Sequence, residues 1–432
     1  MRQREMPTRL CRFVPAGSVF AVFLGMSWLY QQGHREVSDS ILRSWGMVPF
    51  KTPFLDISGP LSAWECARQG WDVMVENPCD LLHLVFDYSP FWLSVSRIPL
   101  GVRDTTAVGW ALDLLFIASL SLLPPPRRLV ELLLVLAATL STMVVFALER
   151  ANADVLLFLL ALAAGGLAER GPAARMIGYG LALLSALLKY YPIMVLIVVF
   201  RERTAVFAAV ALAAAAALAA FWAAYHVKIV QGWPNISTGA YNTDLFAAKN
   251  LPFLIGIMVE NAVAPSRFAA AVGWVETAGL YGVLVCAALA ICRRLSRFPE
   301  LRAAIAELPS GERVLMVIGS AVIAGCFFAG QSIGYRGIFL LLVLPGLLAL
   351  SRSAGRGLRA LCLGSASVIV LLMWGECLRR AFDGGFGFWL LRELGWWWSV
   401  SVMLTLVADF LWESPVLQAA SAWFGRQGVR SA

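Results

Sequence analysis

The residues of this sequence best equipped for chemistry gather in one stretch, 31–104. It carries Asp56, Glu65, Asp72, Glu76, Asp80 and Asp87, with Trp64, Trp71, Tyr88 and Trp92 among them. Carboxylates interleaved with aromatics suit a sugar, whose apolar ring faces stack on aromatic rings while its hydroxyls donate to carboxylates. A carboxylate set against a hydroxyl can also act as general base, taking the proton as the oxygen attacks. A plainer reading competes. Asp56 and Asp80 each stand where a helix can begin, and aspartate there caps a helix without doing chemistry; the other acids can simply be solvated.

A second set of ionisable residues sits in or beside strongly apolar sequence: Glu149-Arg150-Ala151-Asn152-Ala153-Asp154, Lys189-Tyr190-Tyr191-Pro192 and Tyr335-Arg336. A charge at membrane depth is costly unless partnered, which makes such residues functional candidates. Three cations converging from Arg150, Lys189 and Arg336 would hold a lipid phosphate or pyrophosphate, Arg through its planar fork and Lys as a point charge. The competing reading pairs Arg150 with Glu149 or Asp154 and lets Arg336 snorkel to the interface.

Other signals exclude more than they suggest. The three histidines, His34, His83 and His226, are dispersed, and no HExxH or CxxC spacing exists. Nothing demands a zinc site, so no residue is assigned to a metal, no cofactor is required, and help from a divalent ion stays open. No phosphate-cradling glycine motif follows a strand, which argues against a nucleotide-driven machine. Of eight cysteines only Cys66 and Cys79 share the stretch 31–104, either as a disulfide in an oxidising compartment or as two free thiols. Asn235-Ile236-Ser237 matches a glycosylation sequon, a pattern that also arises by chance.

The elements that must position these residues are membrane helices. The chain has 432 residues, 59% of them hydrophobic and only 14% charged, with a mean hydropathy of +0.74. That is too apolar for a soluble protein. The apolar residues fall in runs of about 17 to 25, long enough to cross a bilayer core as helix, and they do not alternate as barrel strands would. The net charge of +8 makes no nucleic-acid patch, because Lys and Arg punctuate the gaps between runs.

With the basic N-terminus inside and no cleavage site after the first run, spans fit at 13–30, 105–123, 129–148, 153–168, 204–225, 268–292, 313–330, 337–350, 358–376 and 395–412. Both termini are then cytoplasmic, and Lys and Arg are denser in the gaps assigned to the inside. Residues 31–104 become an extracytoplasmic loop with short interfacial helices. The segment 293–312 reads as an amphipathic linker, and the Ala-rich 210–220 as a close-packing helix.

One stretch resists a single span. Arg170–Arg175 and Arg201–Arg203 both belong inside, yet only the apolar run 176–200 separates them. Pro192 removes a backbone donor there and biases its neighbour away from helix. We read two short helices meeting at Lys189-Tyr190-Tyr191-Pro192, a hairpin that enters and leaves on one side. Broken backbone at membrane depth survives where protein or a water-filled cavity satisfies it. The expected fold is an all-α polytopic bundle of about twelve membrane helices, hairpin included, forming one integral membrane domain over 1–432.

Several short motifs extend across this architecture: Phe54-Leu55-Asp56-Ile57; Glu65-Cys66-Ala67-Arg68-Gln69-Gly70-Trp71-Asp72-Val73; Asn77-Pro78-Cys79-Asp80; and Phe86-Asp87-Tyr88-Ser89-Pro90. With Glu149 to Asp154, Lys189 to Pro192 and Gly334-Tyr335-Arg336, they give an arrangement that resembles the GT-C glycosyltransferases, and glycosyltransferase family 87 in particular. Relatives often have Tyr-Pro-Pro where this chain has Tyr88-Ser89-Pro90. The resemblance implies a GT-C-like bundle, a polyprenyl-phosphate-linked sugar as donor, and transfer at the extracytoplasmic face of the plasma (inner) membrane. It implies that Asp56, in the first outer loop soon after the first span, is the catalytic base, with Asp72 and Asp80 as fallbacks.

The expectation is therefore a multi-pass glycosyltransferase moving a hexose or pentose to a lipid or glycan acceptor. Lys189, Arg336 and Arg150 would hold the donor phosphate, while Asp72, Asp80, Tyr88, Tyr191, Asn152 and Tyr335 line the substrate. Its partners would be that donor and acceptor and the lipid bilayer, with no nucleic acid. The rival is a lipid or lipid-linked-sugar transporter or flippase, which also needs broken helices and isolated charges. A membrane acyltransferase would want a histidine in a span, where none is expected.

Overall fold

The computed structural model describes residues 8–236, 245–262, 269–353 and 355–428. Of the described residues 79% are helical. A short turn α1 (Thr8–Cys11) leads into the long α2 (Val14–Gln31); α3 (Arg35–Ser44) and α4 (Leu55–Arg68) follow in the first loop. Next come α5 (Thr105–Ser119), α6 (Leu129–Thr139), α7 (Thr142–Arg150), α8 (Ala153–Ala168) and α9 (Pro172–Leu188), then a 3-10 stretch Tyr191–Arg201. The second half holds α10 (Thr204–Gly232), α11 (Asn250–Ala262), α12 (Ala269–Leu295), α13 (Pro299–Glu307), α14 (Ser310–Ala329) and α15 (Leu340–Ser353). It ends with α16 (Arg356–Met373), α17 (Gly375–Ala381), α18 (Phe386–Trp412) and α19 (Pro415–Gly428). Two residue pairs, β1 (Leu245–Phe246) and β2 (Ser332–Ile333), run antiparallel with Leu245 opposite Ile333.

Among the described residues nine helical stretches are long and apolar enough to cross a membrane, and three shorter apolar ones (Ala153–Ala168, Pro172–Leu188 and Tyr191–Arg201) accompany them. The last two meet at Lys189-Tyr190 as the two arms of the expected hairpin, and α8 packs alongside them. At about 1.5 Å per residue the sixteen-residue α8 is roughly 24 Å long. At about 2.0 Å per residue the eleven-residue 3-10 stretch covers roughly 22 Å. The tighter coil thus returns along the whole of α8 with fewer residues. Its ends are pinned: Lys189 pairs with Asp154 at the start of α8, and Arg201 with Glu169 at its end, where Glu202 also meets Arg175 at 3.1 Å. Both basic clusters therefore lie at one end of α8. Side chains three apart eclipse in a 3-10 helix, so Pro192, Val195 and Val198 form a buried stripe, in a coil that packs against α14 and α9.

The core is the stretch Gly334–Arg352, whose apolar window is 94% buried. Its run Leu340-Leu341-Leu342-Val343-Leu344 is apolar on every side, as a helix surrounded by other helices must be. Gly319 on α14 admits that neighbour: an added Cβ would meet Phe339 O at 2.8 Å. By contrast α10, predicted to pack closely through its alanines, buries only Ala214 and Gly232. Alanine supplies helix propensity, but its methyl has little surface to bury. The helix also continues past the expected end at residue 225 to Gly232, so His226 lies on it, exposed, rather than in a loop.

The predicted span 129–148 is broken at Leu140-Ser141 into α6 and α7. Here the freed carbonyls of Ala137 and Leu140 accept indole N–H bonds from Trp374 (2.6 Å) and Trp45 (2.9 Å), which supplies the cause of the break. The expected linker 293–312 contains the short helix α13 and the start of α14. Residues 1–7 and Ser237 of the sequon fall outside the described residues.

A candidate active site beneath the first loop

The first loop is a folded cover. Arg68 on α4 donates to the carbonyls of Ser96, Ile98 and Leu100 at 2.6–2.8 Å. A disulfide joins Cys66 to Cys79 with Cα atoms 5.7 Å apart. Ser89 Oγ donates to Leu187 O (2.6 Å) and Trp92 Nε1 to Leu188 O (3.1 Å), which seats the loop on the last turn of α9, beside Lys189.

Asp56 is the second residue of α4. Phe54 before it adopts φ 59°, and its N–H donates to Glu149 O at 2.9 Å, fixing the helix start against the end of α7. A Cβ on Gly109 of α5 would lie 2.5 Å from the Phe54 ring, so only glycine leaves room for it. The Asp56 side chain caps nothing. Its Oδ2 accepts from Asn152 Nδ2 at 2.5 Å and its Oδ1 from Arg150 at 3.4 Å. Burial raises the Asp56 carboxyl above its ordinary value, with Arg150, Asn152 and Lys189 pulling the other way.

The string Glu149 to Asp154 is the corner between α7 and α8. Ala151 turns through φ 43°, and Asn152 becomes the N-cap of α8, its Oδ1 accepting from Asp154 N at 2.8 Å. One amide therefore caps a helix with its oxygen and holds Asp56 with its nitrogen. Arg150 bonds Glu149 at 2.8 Å and lies 3.8 Å from the Phe50 ring and 4.9 Å from that of Phe146.

Asp154, fully buried, takes Lys189 Nζ on Oδ1 at 2.5 Å and faces Arg336 Nε from Oδ2 at 3.4 Å. Arg336 also donates to Ser332 Oγ at 2.9 Å, within the β1–β2 pair. Three phenols surround the ammonium: the rings of Tyr88, Tyr191 and Tyr335 lie 5.5, 5.8 and 5.9 Å from Lys189 Nζ. Burial pushes the Tyr88 phenol well above its usual range, so it keeps its proton and can donate.

Asp56, Arg150, Asn152, Tyr88, Lys189, Tyr191, Tyr335 and Arg336 are thus brought together. Each cation already has a carboxylate, and the alternative pairing of Arg150 with Glu149 is realised. Three acids (Asp56, Glu149, Asp154) balance three bases, which lowers the cost of burying any of them. Asp72 and Asp80 are not part of this group. Exposed Asp72 bonds Met74 N, while Asp80 bonds the N–H groups of Leu82 and Leu84 and faces Ser62. Both are short acids serving local turns, and Asp80 begins no helix.

Asp154 stands in the candidate string Glu149–Asp154, but the sequence offers only Arg150 as its partner, whereas it pairs with Lys189 and Arg336. Sequence reasoning missed one residue. Asp113 on α5 is fully buried, and neither carboxylate oxygen has a hydrogen-bond partner among the described residues. Its signal was a lone acid in apolar sequence. Among the described residues no group of three or more His, Cys, Asp or Glu is arranged to hold a metal ion. Comparison with protein-family models, with curated proteins and with solved structures finds no match.

Proposed function

We propose that the protein is an integral membrane glycosyltransferase that moves a sugar from a polyprenyl-phosphate donor to a lipid or glycan acceptor. The observation that carries this reading is the chain of contacts from Asp56 through Asn152 and Asp154 to Lys189 and Arg336. It holds a base and a pair of cations in one rigid corner, as a transfer that makes an alkoxide at one end and a phosphate at the other requires.

In the step proposed, the acceptor O–H gives its proton to Asp56 and its oxygen bonds the anomeric carbon. The carbon–oxygen bond to phosphate breaks, and its electron pair stays on the phosphate, facing Lys189 and Arg336. A phosphate already leaves well, so the base is asked for about 10²–10⁴-fold. Tyr88 and Tyr335, beside the ammonium, offer ring faces and hydroxyls to the sugar. The proposed setting is a multi-pass protein of about twelve membrane helices. The cover 31–104 and the site then face the exterior of the plasma (inner) membrane, and both termini the cytoplasm.

The test is an assay of purified protein with radiolabelled polyprenyl-phosphate sugars and a membrane lipid extract. Appearance of label in a new lipid or glycan supports the proposal. Movement of intact labelled donor across vesicles without a new product would replace it with the transporter reading.

A further inference from the structure

Asp154 is the residue whose chemistry this mechanism leaves unused. Its side chain is wholly buried, whereas those of Lys189 and Arg336 keep 16% and 21% of their surface exposed. The carboxylate is therefore shut off from solvent, while both cations that it pairs with keep part of their surface open. Lys189, Arg336 and Asp154 by themselves carry a net charge of +1, while Asp56 and Asp87 also lie within electrostatic reach of Lys189, so the site has no positive charge to spare for a dianion. Lys189 spends one of its three donors on Asp154, and the others go unspent among the described residues.

We propose, on the strength of the transferase reading, that Asp154 sets the charge of this site so that the phosphate product is released after transfer. A sugar joined through a phosphodiester carries one negative charge, no more than the +1 of Lys189, Arg336 and Asp154 can offset. Cleavage leaves a phosphomonoester whose charge approaches −2 at neutral pH. That extra charge exceeds what they can offset, and Asp154 repels it. Without Asp154 the same cations would hold the product more tightly than the donor. Asp154 does not touch the reacting atoms; it acts through Lys189 and Arg336 as a positioning residue.

The experiment measures binding of inorganic phosphate and of a short-chain prenyl phosphate to the full-length protein by calorimetry, beside donor kinetics. Asp154→Asn is expected to bind the monoester at least about tenfold tighter, equal to 1.4 kcal/mol, with kcat and KM for donor both lowered. Asp154→Glu, which restores the charge, is expected to return all three towards wild type. A purely structural role would instead weaken binding and raise KM. Equal or weaker monoester binding by Asp154→Asn overturns the proposal.

Should Asp154→Asn fail to fold, Arg336→Gln leaves Lys189 matched by Asp154 alone and is expected to weaken monoester binding more than tenfold; unchanged binding overturns the proposal. The two readings separate cleanly. Tighter binding by Asp154→Asn in a protein that transfers no sugar would end the transferase reading and keep the anion site. Transfer without that tightening would do the reverse.

Discussion

Asn152 donates its side-chain amide to Asp56 Oδ2 at 2.5 Å while its own carbonyl oxygen caps α8. The two jobs can be separated. Ser is also a good N-cap but cannot reach Asp56 with an N–H. Asn152→Ser is expected to keep stability within about 1 kcal/mol and to lose transfer, by less than the about 10²–10⁴-fold at stake in base catalysis. Thermal unfolding and kcat/KM measured on one preparation check both halves.

The acid limb of the rate profile should report Asp56. Only its carboxylate accepts a proton, so transfer falls as pH drops through its folded-state pKa, which burial raises above 3.8. Arg150 is the strongest opposing influence. Arg150→Gln is therefore expected to move the limb to higher pH, and a limb that stays put or moves down counts against Asp56 as the titrating base. The sign for stability is opposite to the usual salt-bridged aspartate. A raised folded pKa gives stability present below the unfolded pKa and lost as pH rises through the folded one. Asp56→Asn should accordingly be no less stable than wild type at neutral pH.

Asp113 offers a stability test beside the site, within electrostatic reach of Glu149. Leucine has the shape of aspartate and needs no hydrogen bonds, whereas the two buried oxygens of Asp113 have none among the described residues. Asp113→Leu is expected to stabilise the protein by about 1–3 kcal/mol, seen as a higher midpoint of thermal unfolding in detergent. A lower midpoint would mean that Asp113 has a partner that matters.

The disulfide Cys66–Cys79 closes a short loop, with partners 13 residues apart. Replacing both by Ser should cost about 2–4 kcal/mol, with the unfolding midpoint of wild type falling to meet it when reductant is added. Coincident midpoints without reductant would show that the loop's other ties, such as Arg68, suffice.

Much of this was legible before any coordinates. The two basic clusters flanking Lys189-Tyr190-Tyr191-Pro192 required a hairpin, because positive charge and apolar length are properties of composition. The 3-10 coil of its second arm was not legible, since a period of three over eleven residues mimics any short apolar run. The break after Thr139 depends on indoles from Trp45 and Trp374, far along the chain. The same distance in sequence hid the pairing of Asp154 with both Lys189 and Arg336. Asp56, Lys189, Arg336 and Arg150 were recognised as candidates by type and setting; that each cation already held a carboxylate was a matter of packing.

The measurement that tests the account most directly is sugar transfer by purified Asp56→Asn from a radiolabelled polyprenyl-phosphate donor, on protein shown by thermal unfolding to be folded. Loss of about 10²–10⁴-fold in kcat is expected, with binding of the donor phosphate retained at Lys189 and Arg336. Transfer at the wild-type rate by the folded variant would contradict it.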